Sequence, residues 1–114
     1  MISQTTQDYR AIEKVIKDYV DGANGDVPLL KSVFLPTALI NGRPIQGLYN
    51  AVEARGKTEA TYRISFIDIV GTAASIKIVV ENWHGYHFVE FFHALKTTDG
   101  WKFSSKIGVE FDEE

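Results

Sequence analysis

The sequence predicts an α+β fold, three helices followed by a twisted antiparallel sheet, and two observations carry that expectation. Up to Gly56 the apolar residues recur at helical spacing. After Lys57 they alternate at strand spacing, in four runs separated by glycine-containing turns. The length of 114 residues suits one domain, with 45% apolar and 24% charged residues, so the whole chain 1–114 is taken as a single domain. No repeat and no low-complexity tract interrupts it.

The first helix carries Tyr9, Ile12, Ile16, Tyr19, Val20 and Ala23 on one stripe. Thr5 or Thr6 is its expected N-cap, and Asp8 stands in the first turn, where a negative charge is favourable. The pairs Glu13/Lys17 and Lys14/Asp18 belong to its wet face. Gly22 and Gly25 end it. Asp26 then caps a short second helix carrying Leu29, Leu30, Val33 and Phe34, which Pro36 stops. Residues 38–40 are a short strand candidate. Pro44 opens a third helix, Ile45, Leu48, Tyr49 and Val52 share its apolar face, and Gly56 is its C-cap.

The four strand runs are 60–70, 74–83, 86–96 and 101–111, joined at Gly71-Thr72, His84-Gly85 and the turn 97–100. A two-residue His84-Gly85 loop pairs Trp83 with Tyr86. Continued without interruption, that register sets Asn82 opposite His87, Val80 opposite Val89, Ile78 opposite Phe91 and Ile76 opposite His93. Trp101, Phe103, Ser105, Ile107 and Val109 join the same side, because the other register opposes Lys102 and Lys106 to apolar partners. Tyr62, Ile64 and Phe66 fit it from the first long strand. This face is expected to be concave and covered by the helices. Its polar or aromatic members, with two helix tyrosines, define the expected ligand pocket: Tyr19, Tyr49, Tyr62, Asn82, His87, Phe91, His93, Trp101 and Ser105. Trp83, Tyr86, Phe88, Glu90, Phe92 and Lys106 are then left on the outer face. Four aromatics there are too many for a wet surface, so the outer face is expected to pack on a second copy as a homodimer.

Composition excludes several classes. Glu110, Asp112, Glu113 and Glu114 account for the acidic balance of −3. Without them twelve basic residues face eleven acidic ones, and nothing draws the body to nucleic acid or an anionic membrane. There is no cysteine, so thiolate metal sites and disulfides are absent. His87 and His93 lie about 20 Å apart along one strand and cannot share an ion. No glycine-rich phosphate loop occurs. No metal and no cofactor is therefore expected. The start has neither the basic nor the apolar segment of a signal peptide, which gives a cytoplasmic protein as the default.

The stretches DYVDGANGD with VFLPTAL, PIQGLYNAV, and HFVEFFHALKTTDGWKFSSK resemble the putative lumazine-binding, SnoaL-like branch of the nuclear transport factor 2-like superfamily. The resemblance runs from about Tyr9 to Lys106. It implies a cone-shaped fold, with three N-terminal helices on the concave face of a strongly curved antiparallel sheet around a small-molecule pocket, usually dimeric through the outer sheet face. Fold alone does not settle activity in such a superfamily. Relatives that isomerise or cyclise place a carboxylate in the pocket as general base, and the expected concave face has none. A dehydratase-like lyase or isomerase would instead rely on a pocket histidine with a tyrosine, and His93 is the candidate catalytic residue. Glu90 and Lys106 match an acid and a lysine that recur in the family's pattern, and on this register they form an outward ion pair. The expected function is binding of a small apolar or aromatic molecule, with a His/Tyr lyase or isomerase, or a non-catalytic dimerisation module, as alternatives.

Overall fold

The computed structural model describes residues 3–112, so Glu113 and Glu114 of the acidic tail lie outside it. Helix α1 runs Gln4–Ala23 and starts earlier than expected, because Ser3 rather than Thr5 or Thr6 is the cap: its Oγ accepts from the N–H of Thr6 at 3.2 Å. The stripe from Ile12 to Ala23 is buried as its spacing requires. On the wet face Lys14 pairs with Asp18 at 2.7 Å, and Lys17 with Asp21, not Glu13, at 2.6 Å. Asp26 caps α2 (Val27–Ser32) by accepting from Leu29 N–H at 3.1 Å. The two helices meet closely at Gly22, where a Cβ would lie 2.6 Å from the backbone nitrogen of Leu30.

Phe34 does not continue α2. It begins β1 (Phe34–Ile40), which turns at Asn41-Gly42 into the short β2 (Arg43–Pro44) before α3 (Gln46–Arg55). Pro36 falls where the pairing of β1 with its neighbour is interrupted, so its missing N–H removes no ladder bond. Gly56, at φ 77°, ends α3. The strands β3 (Thr61–Val70), β4 (Ala73–Trp83), β5 (Tyr86–Thr97) and β6 (Gly100–Phe111) follow the expected boundaries closely. The sheet order is β2-β1-β6-β5-β4-β3. All pairs are antiparallel except β1 with β6, which is parallel, so the expectation of a purely antiparallel sheet is corrected at that pair.

The larger correction concerns which way side chains point. The His84-Gly85 turn does pair Trp83 with Tyr86, but Val80 then pairs with Phe88, not Val89. Two residues of β4, Glu81 and Asn82, stand against His87 alone, a β-bulge with Asn82 in the left-handed region at φ 67°. That one extra residue turns all of β5 over. Ile76 faces Phe92 and Ile78 faces Glu90, while Lys77 faces Phe91 and Ser75 faces His93. Two further bulges, at Ser65 in β3 and Ser104 in β6, reverse the faces again partway along those strands. Bulges bend a sheet, and the three together account for its pronounced curvature.

Phe92, Ala94, Trp101 and Phe103 therefore join Ile12, Ile16, Leu30 and Val52 in the core under the helices. Phe91, His93, Leu95, Ile107 and Val109 stand on the outer face and are exposed.

Candidate functional site

A cavity of about 600 Å³ opens between the second half of α1, the β1–β2 hairpin, α3 and the inner face of the sheet. Its walls are mainly apolar, with Val20 and Ala23 from α1, Leu48 and Ala51 from α3, and Val80, Trp83 and Phe88 from the sheet. Trp83 is fixed there by its indole N–H, which donates to the carbonyl of Ala23 at 2.8 Å.

Three polar side chains meet on one wall. Lys106 Nζ lies 2.6 Å from Glu90 Oε2, and the hydroxyl of Tyr19 donates to Glu90 Oε1 at 2.8 Å. The ammonium also sits 5.4 Å from the centroid of the Tyr19 ring. Glu90 is 2% exposed and Lys106 6%, so both charges are out of water. Each alone would cost several kcal/mol to bury, and the pairing with the tyrosine donor is what makes the arrangement tolerable. Burial, and secondarily the charge and hydrogen bond of Glu90, hold the Tyr19 phenol well above its ordinary pKa, so it remains a protonated donor. The register explains the meeting: Phe92 pairs with Lys106 and Glu90 with Gly108, which puts acid and lysine diagonally across β5 and β6.

Gly108 lies on the same wall, in line with the charged pair. A Cβ there would contact Glu90 Oε2 at 3.5 Å and Lys106 Cε at 3.7 Å. The hairpin is tied down beside it, with Asn41 N–H donating to the carbonyl of Lys106 at 2.9 Å and Gly108 N–H to Asn41 Oδ1 at 3.0 Å. Arg43 forms the exposed rim.

Of the residues expected in the pocket, Tyr19 lines this cavity. Tyr49 is buried beneath α3 and borders a smaller cleft with Lys31 and Phe34. Tyr62 is on the inner face of β3, opposite Val80, packed against the core away from the cavity wall. Trp101 is a core residue at the far end, its indole N–H directed to Asp8 at 3.3 Å. Asn82 is the exposed bulge residue, and its N–H donates to Nδ1 of His87, whose ring lies against Phe111. Phe91, His93 and Ser105 are on the outer face, so the candidate catalytic His93 is exposed and remote from the cavity. For Asn82, Phe91, His93 and Ser105 the cause is a bulge that an uninterrupted register cannot contain. His84, in the turn between β4 and β5, is half-buried edge-on to Trp83, and its Nε2 has no partner among the described residues.

The residues expected outside are largely the ones inside. Trp83, Phe88, Glu90 and Lys106 line the cavity, and Phe92 is core. Tyr86 alone stays exposed, with the Arg55 guanidinium 5.3 Å from its ring centroid. Asn41 and Arg43 were missed because the segment between β1 and α3 carried no pocket expectation. Glu90 and Lys106 did leave a signal: an acid flanked by Phe88 and Phe92 on an alternating strand reads naturally as one buried polar position in an apolar face.

Comparison with known proteins places this geometry. The family model described as putative lumazine-binding matches residues 7–107. No curated protein matches the sequence. Among solved structures, an NTF2-like protein of unknown function from Shewanella baltica OS155 is 32% identical and superposes with a TM-score of 0.90, covering 98% of this chain and 100% of that one. A second, from Methylobacillus flagellatus KT, is 26% identical with a TM-score of 0.86 over 97% of this chain and 96% of that one. A putative scytalone dehydratase from Novosphingobium aromaticivorans is 20% identical, with a TM-score of 0.79 over 95% and 87%, and shares the fold. With three helices against a curved, unclosed six-stranded sheet and a family match over nearly its whole length, the chain belongs to the putative lumazine-binding family of the nuclear transport factor 2-like superfamily.

Proposed function

We propose that the chain, as one domain over residues 1–114, binds a small, largely apolar or aromatic molecule in the cavity between α1, α3 and the inner sheet face. One observation carries the reading: a cavity of about 600 Å³, within the range of ligand sites, has apolar walls that converge on the buried Tyr19–Glu90–Lys106 group. A dimerisation module that merely filled its own pocket would have no use for so open a space. Native mass spectrometry of the purified protein, beside an Ala51→Trp variant that fills the cavity, tests the reading. The wild type should retain or take up an aromatic ligand that the variant does not. Equal uptake by both, or none by either across an aromatic library, would sink it.

The same group supports a second reading, a lyase or isomerase. The geometry offers Glu90 and Tyr19 for proton transfer in place of the expected histidine and tyrosine, since no histidine lines the cavity among the described residues. The Glu90 carboxylate is already engaged by the ammonium of Lys106 and the phenol of Tyr19, which favours binding as the first reading. Deuterium uptake from solvent into an enolisable bound ketone, lost in Glu90→Gln, would favour the second.

As partner we infer a second copy of this chain on the outer sheet face. Phe66, Phe91, Leu95, Ile107 and Val109 are each more than two-fifths exposed there. The charges among them are balanced, with Arg63 paired to Glu81 and Lys77 sharing the face with Asp68, so the patch does not repel its own copy. Ile107→Glu should turn a dimer into a monomer in analytical ultracentrifugation. A wild type that is already monomeric at tens of micromolar overturns the assignment.

A further inference from the structure

We infer that the ligand is an aromatic monocarboxylate, with its carboxylate on Arg43 at the rim and a second oxygen acceptor, such as a carbonyl or hydroxyl, on Lys106 inside. This rests on the cavity being a ligand site and goes on to name the chemistry it selects. The first argument is charge. Glu90 and Lys106 cancel, and Arg43 is left as a surplus cation, exposed, with no ion pair among the described residues.

The second argument is hydrogen-bonding sense. Both carboxylate oxygens of Glu90 already accept, one from Tyr19 and one from Lys106. Asn41 Oδ1 already accepts from Gly108, which leaves its amide N–H donors. Lys106 has three N–H donors, Glu90 takes one, and the described residues offer no other acceptor to the rest. Each of these oxygens keeps a second lone pair, but the Glu90 charge is already offset by Lys106, so the donors left on Lys106, together with the Arg43 guanidinium, suit an acceptor-rich anion better than an amine or a cation.

The third argument is spacing. Arg43 pairs with Ile40 on β1, and Ile40 pairs with Lys106 on β6. All three line the cavity, so the two cationic side chains spring from one row of the sheet, roughly 10 Å apart at the usual strand separation, with Ile40 between them. An aromatic ring lying over Ile40 and against Trp83 or Phe88 spans that distance. A guanidinium fork receives a carboxylate with two parallel bonds, which a point charge cannot do.

Isothermal titration of three compounds with one body tests this: 2-naphthoate, 2-naphthamide and 2-naphthylmethylammonium. The carboxylate should bind about tenfold or more tighter than the amide, with the cation weakest, and the preference should shrink at raised salt. Arg43→Gln, at an exposed position where folding is not at stake, should abolish the preference, bringing naphthoate affinity down to about that of the amide. If carboxylate and amide bind equally, or the preference survives Arg43→Gln, this inference fails while the cavity reading stands. If none of the three binds, this inference fails, and the cavity reading is decided separately by the native mass spectrometry of wild type beside Ala51→Trp.

Discussion

The inner and outer faces of this sheet draw on much the same residue types, yet one builds a buried charged site and the other an exposed apolar surface. On β5 the contrast is between neighbours: Phe92 is 1% exposed and Phe91 42%. Both faces carry large apolar side chains and both carry charge. What separates them is the bulge at Glu81-Asn82, which decides which alternate residue of β5 goes under the helices. The comparison teaches that amphipathic alternation states how many residues share a face, and that local irregularities state which face it is.

The sharpest way to break the comparison is at the buried pair. Lys106→Met leaves the Glu90 carboxylate out of water without its cation, and should lower stability by about 3 to 5 kcal/mol in urea unfolding. Removing both charges with Glu90→Leu and Lys106→Met should recover most of that loss, since an apolar pair of similar size carries no desolvation cost. If Lys106→Met costs less than about 1 kcal/mol, the pair is solvated and belongs to the outer face after all.

The neighbours on β5 give the second test. Phe92 packs on Phe103 with ring centroids 4.3 Å apart and on Tyr19 at 5.0 Å, and Phe92→Ala should cost about 3 to 5 kcal/mol. Phe91→Ala, judged by the unfolding midpoint of the monomer, should cost about 1 kcal/mol or less. Equal losses would show that the two faces are not distinguished by burial. A larger loss at Phe91 would restore the uninterrupted register.

These tests also mark how far the sequence was legible. Helical and strand periods, caps and turn residues are local, and they located three helices and four long strands to within a few residues. The Trp101 and Phe103 core positions followed from their apolar character, although the turn at 97–100 sets Leu95 opposite Lys102 and Lys96 opposite Trp101, the register that the sequence argument rejected. The site did not follow, because its register has to be carried through the bulges at Ser65, Glu81-Asn82 and Ser104, each a single inserted residue with a small local signal. Asn82 is of a residue type that tolerates positive φ, a hint that is weak by itself. The stronger hint was energetic. A face holding Trp83, Phe88 and Phe92 is too apolar to leave wet, and turning β5 over resolves the conflict more directly than covering the face with a partner. The parallel pairing of β1 with β6 was illegible for another reason: it joins residues some seventy positions apart through no short turn.

A smaller effect is expected at the far end of the inner face. Asp8 on α1 is 7% exposed and accepts from Lys96 at 2.9 Å and from the Trp101 indole at 3.3 Å. The hydrogen bond from Lys96 is the main cause that holds its carboxyl below the usual aspartate value, against the opposing effect of burial. A carboxylate depressed in the folded state contributes stability above its unfolded pKa, about 3.9, and loses that contribution as the pH falls through the folded value. Asp8→Asn should therefore be less stable than wild type at neutral pH, with the two urea midpoints converging as the pH is taken below about 4. A gap that stays constant across that range would mean the aspartate acts here by shape alone.

The smallest effect is expected at His93, where the two accounts of the sheet differ most plainly. Facing Ser75 and Ser105 across the outer face and exposed, it touches neither the cavity wall nor the core cluster. Replacing an exposed side chain that is remote from caps and buried partners usually changes stability by no more than about 0.5 kcal/mol. His93→Ala should stay within that range at fixed protein concentration, and affinity for any ligand retained in the cavity should be unchanged within error. Glu90→Gln in the same assay should alter affinity, because it changes the charge beside Lys106. The reverse pattern, with affinity lost at His93 and kept at Glu90, would put β5 back in the uninterrupted register and move the pocket to the other side of the sheet.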